Sequence, residues 1–287
     1  MTSLSVRVAA STANLGSGFD AMGIGLDLYD EVSLTSGGDS IRVRVTGEGA
    51  DSVPLDESHL VVRSLLAGLS EFDGSVEGFE LVCHNSIPHS RGLGSSAAAI
   101  VAGLCLAWGI ARDGELDRRE ILRLADQAEG HPDNAAAAVF GGAVLAWRGS
   151  KGVDLLELPL HPKIECWVLI PEDHSATKHA REVLPESVPR SHAVHQAIRA
   201  ALLSRALTDR PDLLLEATGD LLHQNYRREL MPESMALVDR LRQAGVAAAI
   251  SGAGPAVMCF ADPAGTEIGY FTPRRVRPGH GASLRRG

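Results

Sequence analysis

The chain has 287 residues, 45% of them hydrophobic, so it is long enough to bury one large core or two smaller ones. Its formal net charge of -9 excludes the broad basic field by which proteins bind nucleic acid or anionic membranes. The first residues lack the apolar segment of a signal peptide and no run reaches the ~20 apolar residues of a membrane span, so we expect a cytoplasmic protein without nucleic-acid or membrane partners.

The first half of the chain alternates strand and helix patterns. Apolar alternation predicts strands at 4–10, 31–35, 41–46 and 79–84, and helical periodicity predicts helices at 59–69, 95–110, 118–129 and 134–140. Gly141 and Gly142 end the last helix, and a strand follows at 142–147. We therefore expect an N-terminal domain over residues 1–153.

The second half predicts a smaller domain over residues 154–262. Its predicted elements are a strand at 164–170, helices at 191–207 and 232–244, and strands at 246–250 and 257–260. Beyond it, residues 263–287 are basic, rich in Gly and Pro, and without apolar periodicity. This composition predicts an irregular, frayed tail.

The segment IPHSRGLGSSAAA, residues 87–99, lies between a predicted strand and a long apolar helix. Gly92 and Gly94 let the backbone approach a ligand closely, and the free amides at the start of the helix attract an anion. Ser95 and Ser96 have a second interpretation as helix caps. The spacing matches neither the GxxxxGK[ST] phosphate loop nor the dinucleotide GxGxxG, so both of those protein classes are disfavoured.

Two more glycine-rich loops follow predicted strands. ASTANLGSGFDAMGIG, residues 10–25, presents Asn14 and Asp20, which are also common in ordinary turns. SGAGP, residues 251–255, is a tight turn between two strands.

Together and in this order, the three segments resemble the signature motifs of the GHMP kinases, named for the galacto-, homoserine, mevalonate and phosphomevalonate enzymes. The resemblance covers about residues 4–260, and ANLGSGFD and EGHPDNAAAAVFGG resemble the homoserine branch of the family. It implies an α+β fold of two subdomains, the N-terminal part like ribosomal protein S5 domain 2 and the C-terminal part ferredoxin-like. It also implies phosphorylation of L-homoserine to O-phospho-L-homoserine by ATP and Mg²⁺, a step of threonine biosynthesis, and relatives suggest a homodimer.

The resemblance implies a nucleotide and metal site on the first glycine loop. The residues that would bind ATP are Pro88, Arg91, Gly92, Leu93, Gly94, Ser95, Ser96 and Ala97. The Ser96 hydroxyl and the Glu129 carboxylate would bind Mg²⁺, a cation that prefers oxygen ligands. The less favoured interpretation of Glu129 is a surface residue at a helix end. His59 stands where relatives often carry an asparagine near the adenine.

The resemblance also implies an amino-acid site. Asp20 would pair with the substrate ammonium, while Arg181 and Arg227 would bind its carboxylate. Arg228 is the structural alternative to Arg227, since adjacent residues do not share a helix face. The other implied substrate-binding residues are Asn14, His131, Thr177 and Gly252.

The implied catalytic residues are Asn134, Asp133 and Arg227. Asn134 falls where mevalonate-type relatives carry an aspartate base, and an amide accepts no proton at neutral pH. We therefore expect catalysis by positioning and charge neutralisation, which suits a loose phosphoryl-transfer transition state. Asp133 is the candidate if a base is needed.

Two alternative functions stay open. One is a GHMP kinase for another small alcohol of the mevalonate, sugar or shikimate type, which would not need all of Asp20, Arg181 and Arg227. The other is a catalytically silent GHMP-like binding protein. Such a protein would be expected to lose Ser96, Glu129 or the loop glycines, and all of these are present.

Overall fold

A computed structural model describes residues 2–172 and 180–287, which form two β-sheets with helices packed against them. The strands are β1 Ser3–Ala13, β2 Met22–Ser36, β3 Ile41–Gly47, β4 Phe79–Asn85, β5 Ala143–Gly149, β6 Gly152–Leu158, β7 Cys166–Ile170, β8 Ala248–Ile250, β9 Val257–Cys259, β10 Thr272–Val276 and β11 Ser283–Arg286. The helices are α1 Leu60–Glu71, α2 Ser95–Ala111, α3 Arg118–Glu129, α4 Pro132–Phe140, α5 Arg190–Thr208, α6 Leu214–Ala217 and α7 Pro232–Gln243. The expected two-part α+β fold is confirmed.

The larger sheet has the order β11-β1-β2-β4-β3, and β5 joins it by pairing with β2 and with β6. All pairs are antiparallel except β3 with β4. The second sheet is antiparallel with the order β10-β7-β9-β8. The larger sheet takes its strands from residues 3–158 and 283–286, so the predicted boundary at residue 153 falls inside β6.

Helix α2 is the centre of the larger core. It is apolar around its whole circumference, and eleven of its residues are buried, which is typical of a helix covered on all sides. Helix α4 approaches β2 at two glycines: a Cβ on Gly23 would lie 2.7 Å from the Asp133 carbonyl oxygen, and one on Gly25 would lie 2.6 Å from that of Ala137. This close packing fixes the position of the α4 N-terminus, where Asn134 lies.

The expectation of a frayed tail is wrong. Strand β10 pairs with β7, and β11 pairs with β1 through the register Leu4↔Arg286 to Arg7↔Ser283. Between them, the Ala282 N–H donates to the Ala138 carbonyl at 3.0 Å. The tail therefore supplies an edge strand to each sheet, although its own side chains show little apolar pattern. Among the described helices, none has the length and apolar character needed to cross a bilayer.

The packing of the tail predicts that Gly281→Ala lowers the unfolding free energy by about 1–3 kcal/mol, the usual cost of overpacking. A Cβ at Gly281 would lie 2.2 Å from the Val139 carbonyl oxygen. Gly149→Ala is the matched control, since its Cβ would meet no heavy atom closer than 3.7 Å. Chemical denaturation of both variants is the measurement, and equal stabilities would contradict the observed docking of the tail.

Candidate active site

The glycine loop before α2 presents unpaired backbone amides to a cleft. Gly94 caps α2 in a left-handed conformation, φ 71°, and provides no side-chain cap. The first helical bond runs from the Ala98 N–H to the Gly94 carbonyl, so the amides of residues 95–97 precede the helical ladder. Ser96 does not cap the helix, because its hydroxyl donates to Glu129 instead. The loop is thus built to bind an anion with helix-terminal N–H groups.

The loop is held against the 251–255 turn of the second sheet. The Ser251 hydroxyl donates to the Gly92 carbonyl at 2.7 Å, and the Ala256 N–H donates to the Arg91 carbonyl at 3.0 Å. A Cβ on Gly92 would lie 2.1 Å from the Ser251 carbonyl oxygen. Only glycine permits this contact, which joins the two halves of the protein at the cleft.

Two cavities flank the loop. One of about 250 Å³ lies between the start of α1 and the start of α2, and its walls include Asp30, His59 and Ser95. The other, of about 210 Å³, contains the loop glycines together with Glu129, His131 and Asn134. Ser96 lines both cavities, so a ligand bound in one could reach the other past the free amides.

Glu129 lies at the junction of α3 and α4. Gly130, at φ 84°, ends α3, and Pro132 begins α4, so the sequence EGHPDN forms a tight corner. The Glu129 Oε1 accepts a hydrogen bond of 2.9 Å from Ser96, while its buried Oε2 has no partner within residues 2–172 and 180–287. Burial raises the pKa of this carboxyl, against the opposing charge of His131 and the Ser96 hydrogen bond. A buried oxygen without a partner beside a hydroxyl suits a cation.

Three polar side chains cluster at the start of α4: that of the N-cap residue His131 and those of Asp133 and Asn134 in the first turn. The Asp133 Oδ1 accepts from the Asn134 N–H at 2.8 Å and contacts the His131 Nδ1 at 2.7 Å. Burial alone would lower the pKa of His131, but the hydrogen bond and charge of Asp133 raise it above its ordinary value. The Asn134 Oδ1 accepts from the Ser11 hydroxyl at 2.9 Å. The Asp133 carboxylate thus orients the His131 ring and bonds the first turn of α4, and Ser11 of β1 orients the Asn134 side chain.

Asp20 and Arg181 form a two-bond ion pair, with Nη2 to Oδ1 at 2.7 Å and Nη1 to Oδ2 at 3.1 Å. Ligand atoms of Asp20, His131 and Asp133 lie within 4.8 Å of one another, so the pair adjoins the glycine-loop cavity. Asn14, at φ 71°, accepts from the Asp20 N–H through Oδ1 and donates from Nδ2 to the Gly252 carbonyl. It therefore fixes the loop that carries Asp20.

Arg227 is buried, whereas Arg228 lies at the surface and pairs with Asp239. The Arg227 Nε donates to the Ala180 carbonyl at 2.8 Å, and its Nη1 contacts the Gly252 carbonyl at 3.4 Å. Burial and the charge of Arg181 lower the pKa of Arg227. Of the two neighbouring arginines, Arg227 is the one beside the site.

The side chains of some residues predicted to bind the nucleotide contact other parts of the protein. The Arg91 guanidinium donates to the Pro171 and Glu172 carbonyls, and the Leu93 side chain lies in the core. The His59 Nδ1 accepts from the Val61 N–H, so it caps α1 at the cavity wall. Thr177 lies outside the described residues.

Sequence reasoning missed three polar residues that are buried around the site: Asp30, His223 and Gln196. The Asp30 Oδ1 accepts from the Ser86 and Ile87 N–H groups, just before the glycine loop. Its signal in the sequence is a carboxylate inside the strand pattern LDLYDEVSL. The other two lie in segments with no local signal, since their partners are distant in the chain.

Comparison with known proteins identifies the family of the chain. The family description "GHMP kinases N terminal domain" matches residues 59–142, and "GHMP kinases C terminal" matches residues 196–268. A homoserine kinase of Cutibacterium acnes is 54% identical over 262 residues, covering 90% of this chain and 88% of that protein. One of Streptomyces avermitilis is 48% identical over 264 residues, covering 91% and 87%. The crystal structure of homoserine kinase from Cytophaga hutchinsonii superposes with a TM-score of 0.84 at 25% identity, covering 99% and 97%.

The chain therefore belongs to the GHMP kinases, since the two family descriptions together match more than half of it. Its similarity to the Cutibacterium acnes and Streptomyces avermitilis proteins extends over most of the chain. Within the family it is a member of the homoserine kinase group.

The burial of Asp30 predicts a pH dependence of stability. Burial raises the pKa of this carboxyl from 3.8 to about 6, against its two backbone hydrogen bonds. Because the folded state holds the proton more tightly than the unfolded chain, this group favours folding below pH 4, and the contribution is lost between pH 4 and 6. The loss is at most about 3 kcal/mol. Asn at this position keeps an acceptor oxygen but does not titrate.

We therefore expect the stability of Asp30→Asn relative to the parent to rise between pH 4 and 6 and to be constant above pH 7. Thermal unfolding of both proteins across this range is the measurement. A stability difference that does not change with pH would show that the pKa of Asp30 is the same in the folded and the unfolded protein.

Proposed function

We propose that this chain transfers the γ-phosphoryl group of ATP to the side-chain hydroxyl of L-homoserine. The observation that carries the proposal is the Asp20–Arg181 ion pair beside the glycine loop. Asp20 offers a carboxylate for an ammonium, and Arg181 offers a planar guanidinium for a carboxylate.

A zwitterionic amino acid can replace both partners of this ion pair at once. Its ammonium would bind Asp20 while its carboxylate binds Arg181, so no charge in the half-buried site loses its counter-charge. Arg227 adds a second cation, and within the described residues its Nη2 donates no hydrogen bond. A carboxylic acid without an ammonium, such as mevalonate, would bind Arg181 and leave the half-buried Asp20 carboxylate without a counter-charge, and a neutral sugar would pair with neither group. The site therefore favours an amino acid over mevalonate or a sugar.

The nucleotide would lie along the glycine loop, its phosphates on the amides of residues 95–97. The residues that would hold Mg²⁺ are Ser96 and Glu129, and the buried Oε2 of Glu129 is an oxygen ligand of the kind this ion prefers. When bound, Mg²⁺ would neutralise charge on the phosphates.

The side chains around the hydroxyl would act by orientation. Asn134 is held by Ser11 at the wall of the cavity and accepts no proton, and Asp133 is engaged with His131 and its own helix. Phosphoryl transfer with a loose transition state needs alignment more than a base. A cytoplasmic location and a homodimer stay predictions.

A coupled assay of ADP release tests the substrate. With the parent protein and MgATP, we expect homoserine to support turnover, while mevalonate, galactose and shikimate should support at least about 100-fold less. Turnover with one of the other alcohols and none with homoserine would overturn the proposal. ADP release in none of the assays, with nucleotide still bound, would instead favour a silent binding protein.

For the carboxylate site, we expect Arg227→Ala to raise the KM for homoserine by ~10 to 150-fold and to change the KM for ATP much less. A charge-assisted hydrogen bond is worth ~1.5–3 kcal/mol. Arg228→Ala is the matched control, because that neighbour pairs with Asp239 at the surface. If only the Arg228 variant shows the effect, the assignment of Arg227 is wrong.

For the metal site, Glu129→Gln should raise the Mg²⁺ concentration at half-maximal rate by about tenfold or more, because the variant replaces an anionic ligand by a neutral amide. Calorimetric titration of ADP with and without Mg²⁺ gives a second measure. An unchanged Mg²⁺ requirement would rule out this ligand.

A further inference from the structure

His223 is a fully buried imidazole with a partner at each ring nitrogen. Its Nε2 lies 2.8 Å from the Gly16 carbonyl oxygen, and its Nδ1 lies 3.1 Å from the Arg227 Nη1. The ring also stacks on Phe19, with centroids 4.7 Å apart and planes 15° from parallel. Gly16 and Phe19 belong to the loop that carries Asp20, so His223 contacts both parts of the proposed amino-acid site.

The two partners determine where the proton is. A carbonyl oxygen only accepts, so Nε2 must carry the hydrogen, and a guanidinium only donates, so Nδ1 must accept. This is one tautomer of the neutral ring. Burial lowers the pKa of His223, against the attraction of Asp220, which agrees with a neutral ring.

Apart from His223, few groups hold the Arg227 guanidinium in place. The Arg227 Nε is held by Ala180, but the other partner of Nη1 is the Gly252 carbonyl at 3.4 Å, at the limit of a hydrogen bond. Without Nδ1 as an acceptor, the guanidinium plane could turn about the Cδ–Nε bond, since only the Nε–H would remain firmly held. The plane that a carboxylate must match would then be lost.

The contact to Gly16 is, by contrast, one of several that hold the same loop. The Ser17 carbonyl accepts from the Gln196 Nε2 at 2.9 Å, and the Ser17 hydroxyl donates to the Ala217 carbonyl at 2.7 Å. Asn14 anchors the loop at Gly252. Loss of the Gly16 contact alone should therefore disturb the loop little.

We propose that His223 is a positioning residue for the amino-acid substrate, whose Nδ1 fixes the guanidinium plane of Arg227 for the substrate carboxylate. The proposal rests on the function proposed above. His223 itself does not touch the substrate. It acts through Arg227, so it should affect the binding of homoserine and leave that of ATP unchanged.

Two near-isosteric variants separate the two ring nitrogens. In His223→Asn, the amide oxygen takes the place of Nδ1 and still accepts from Arg227. In His223→Gln, the terminal amide takes the place of Nε2, which keeps the Gly16 bond and removes the acceptor for Arg227. We expect the Gln variant to raise the KM for homoserine at least about fivefold, and the Asn variant to stay within about twofold of the parent.

The controls address a merely structural role. The KM for ATP should be unchanged in both variants, and His84→Gln, at an exposed position on β4, should match the parent throughout. An equal rise of the homoserine KM in the Asn and Gln variants, an equal rise for ATP, or no rise in the Gln variant would overturn the proposal.

A measurement on the unaltered protein keeps the proposal testable if a variant does not fold. The ¹⁵N chemical shifts of the His223 ring at neutral pH should show a protonated Nε2 and an unprotonated, hydrogen-bonded Nδ1. A proton on Nδ1 would overturn the proposal whatever the substrate is. Failure of homoserine as a substrate appears separately, in the ADP-release assay of the parent.

Discussion

The cleft depends on one close approach, that of the 251–255 turn to the glycine loop. The Ser251 carbonyl occupies the space where Gly92 lacks a side chain, and the Ser251 hydroxyl donates to the Gly92 carbonyl. On its other side, the same turn meets β1, where the Gly252 N–H donates to the Ala13 carbonyl at 3.0 Å. The glycine loop and the loop that carries Asp20 are thus tied to one turn, so their separation is set by backbone contacts.

This rigid assembly explains how the site can work by alignment. Asn134 is fixed by Ser11, and α4 is fixed on β2 by Gly23, whose missing Cβ allows the Asp133 carbonyl to approach. Groups that are already oriented lose little freedom when the reactants bind. In the proposed mechanism no strong base is needed at the hydroxyl, because a loose transition state mainly requires neutralisation of the charge on the phosphates.

Features with a local cause could be predicted from the sequence. The glycines of the loop, the corner at Glu129 and the limits of α2 and α3 follow from turn chemistry and helical periodicity. Features that depend on distant partners could not be predicted. Strand β11 is specified by its pairing with β1, and Asp30 and His223 by backbone groups more than 50 residues away in the chain. Polar residues at such positions look like surface residues until their partners are known.

We propose that the chain catalyses phosphoryl transfer by positioning, without a general base. Asp133→Asn tests it most directly, since the amide oxygen can keep the bond to the Asn134 N–H but cannot take the proton of the substrate. We predict that kcat falls by much less than ~100-fold and that the rate keeps its dependence on pH between 6 and 9, because a base typically contributes ~100 to 10,000-fold. A folded, nucleotide-binding variant that has lost ~100-fold or more, together with the acidic limb of the parent's profile, would contradict the claim and make Asp133 the base.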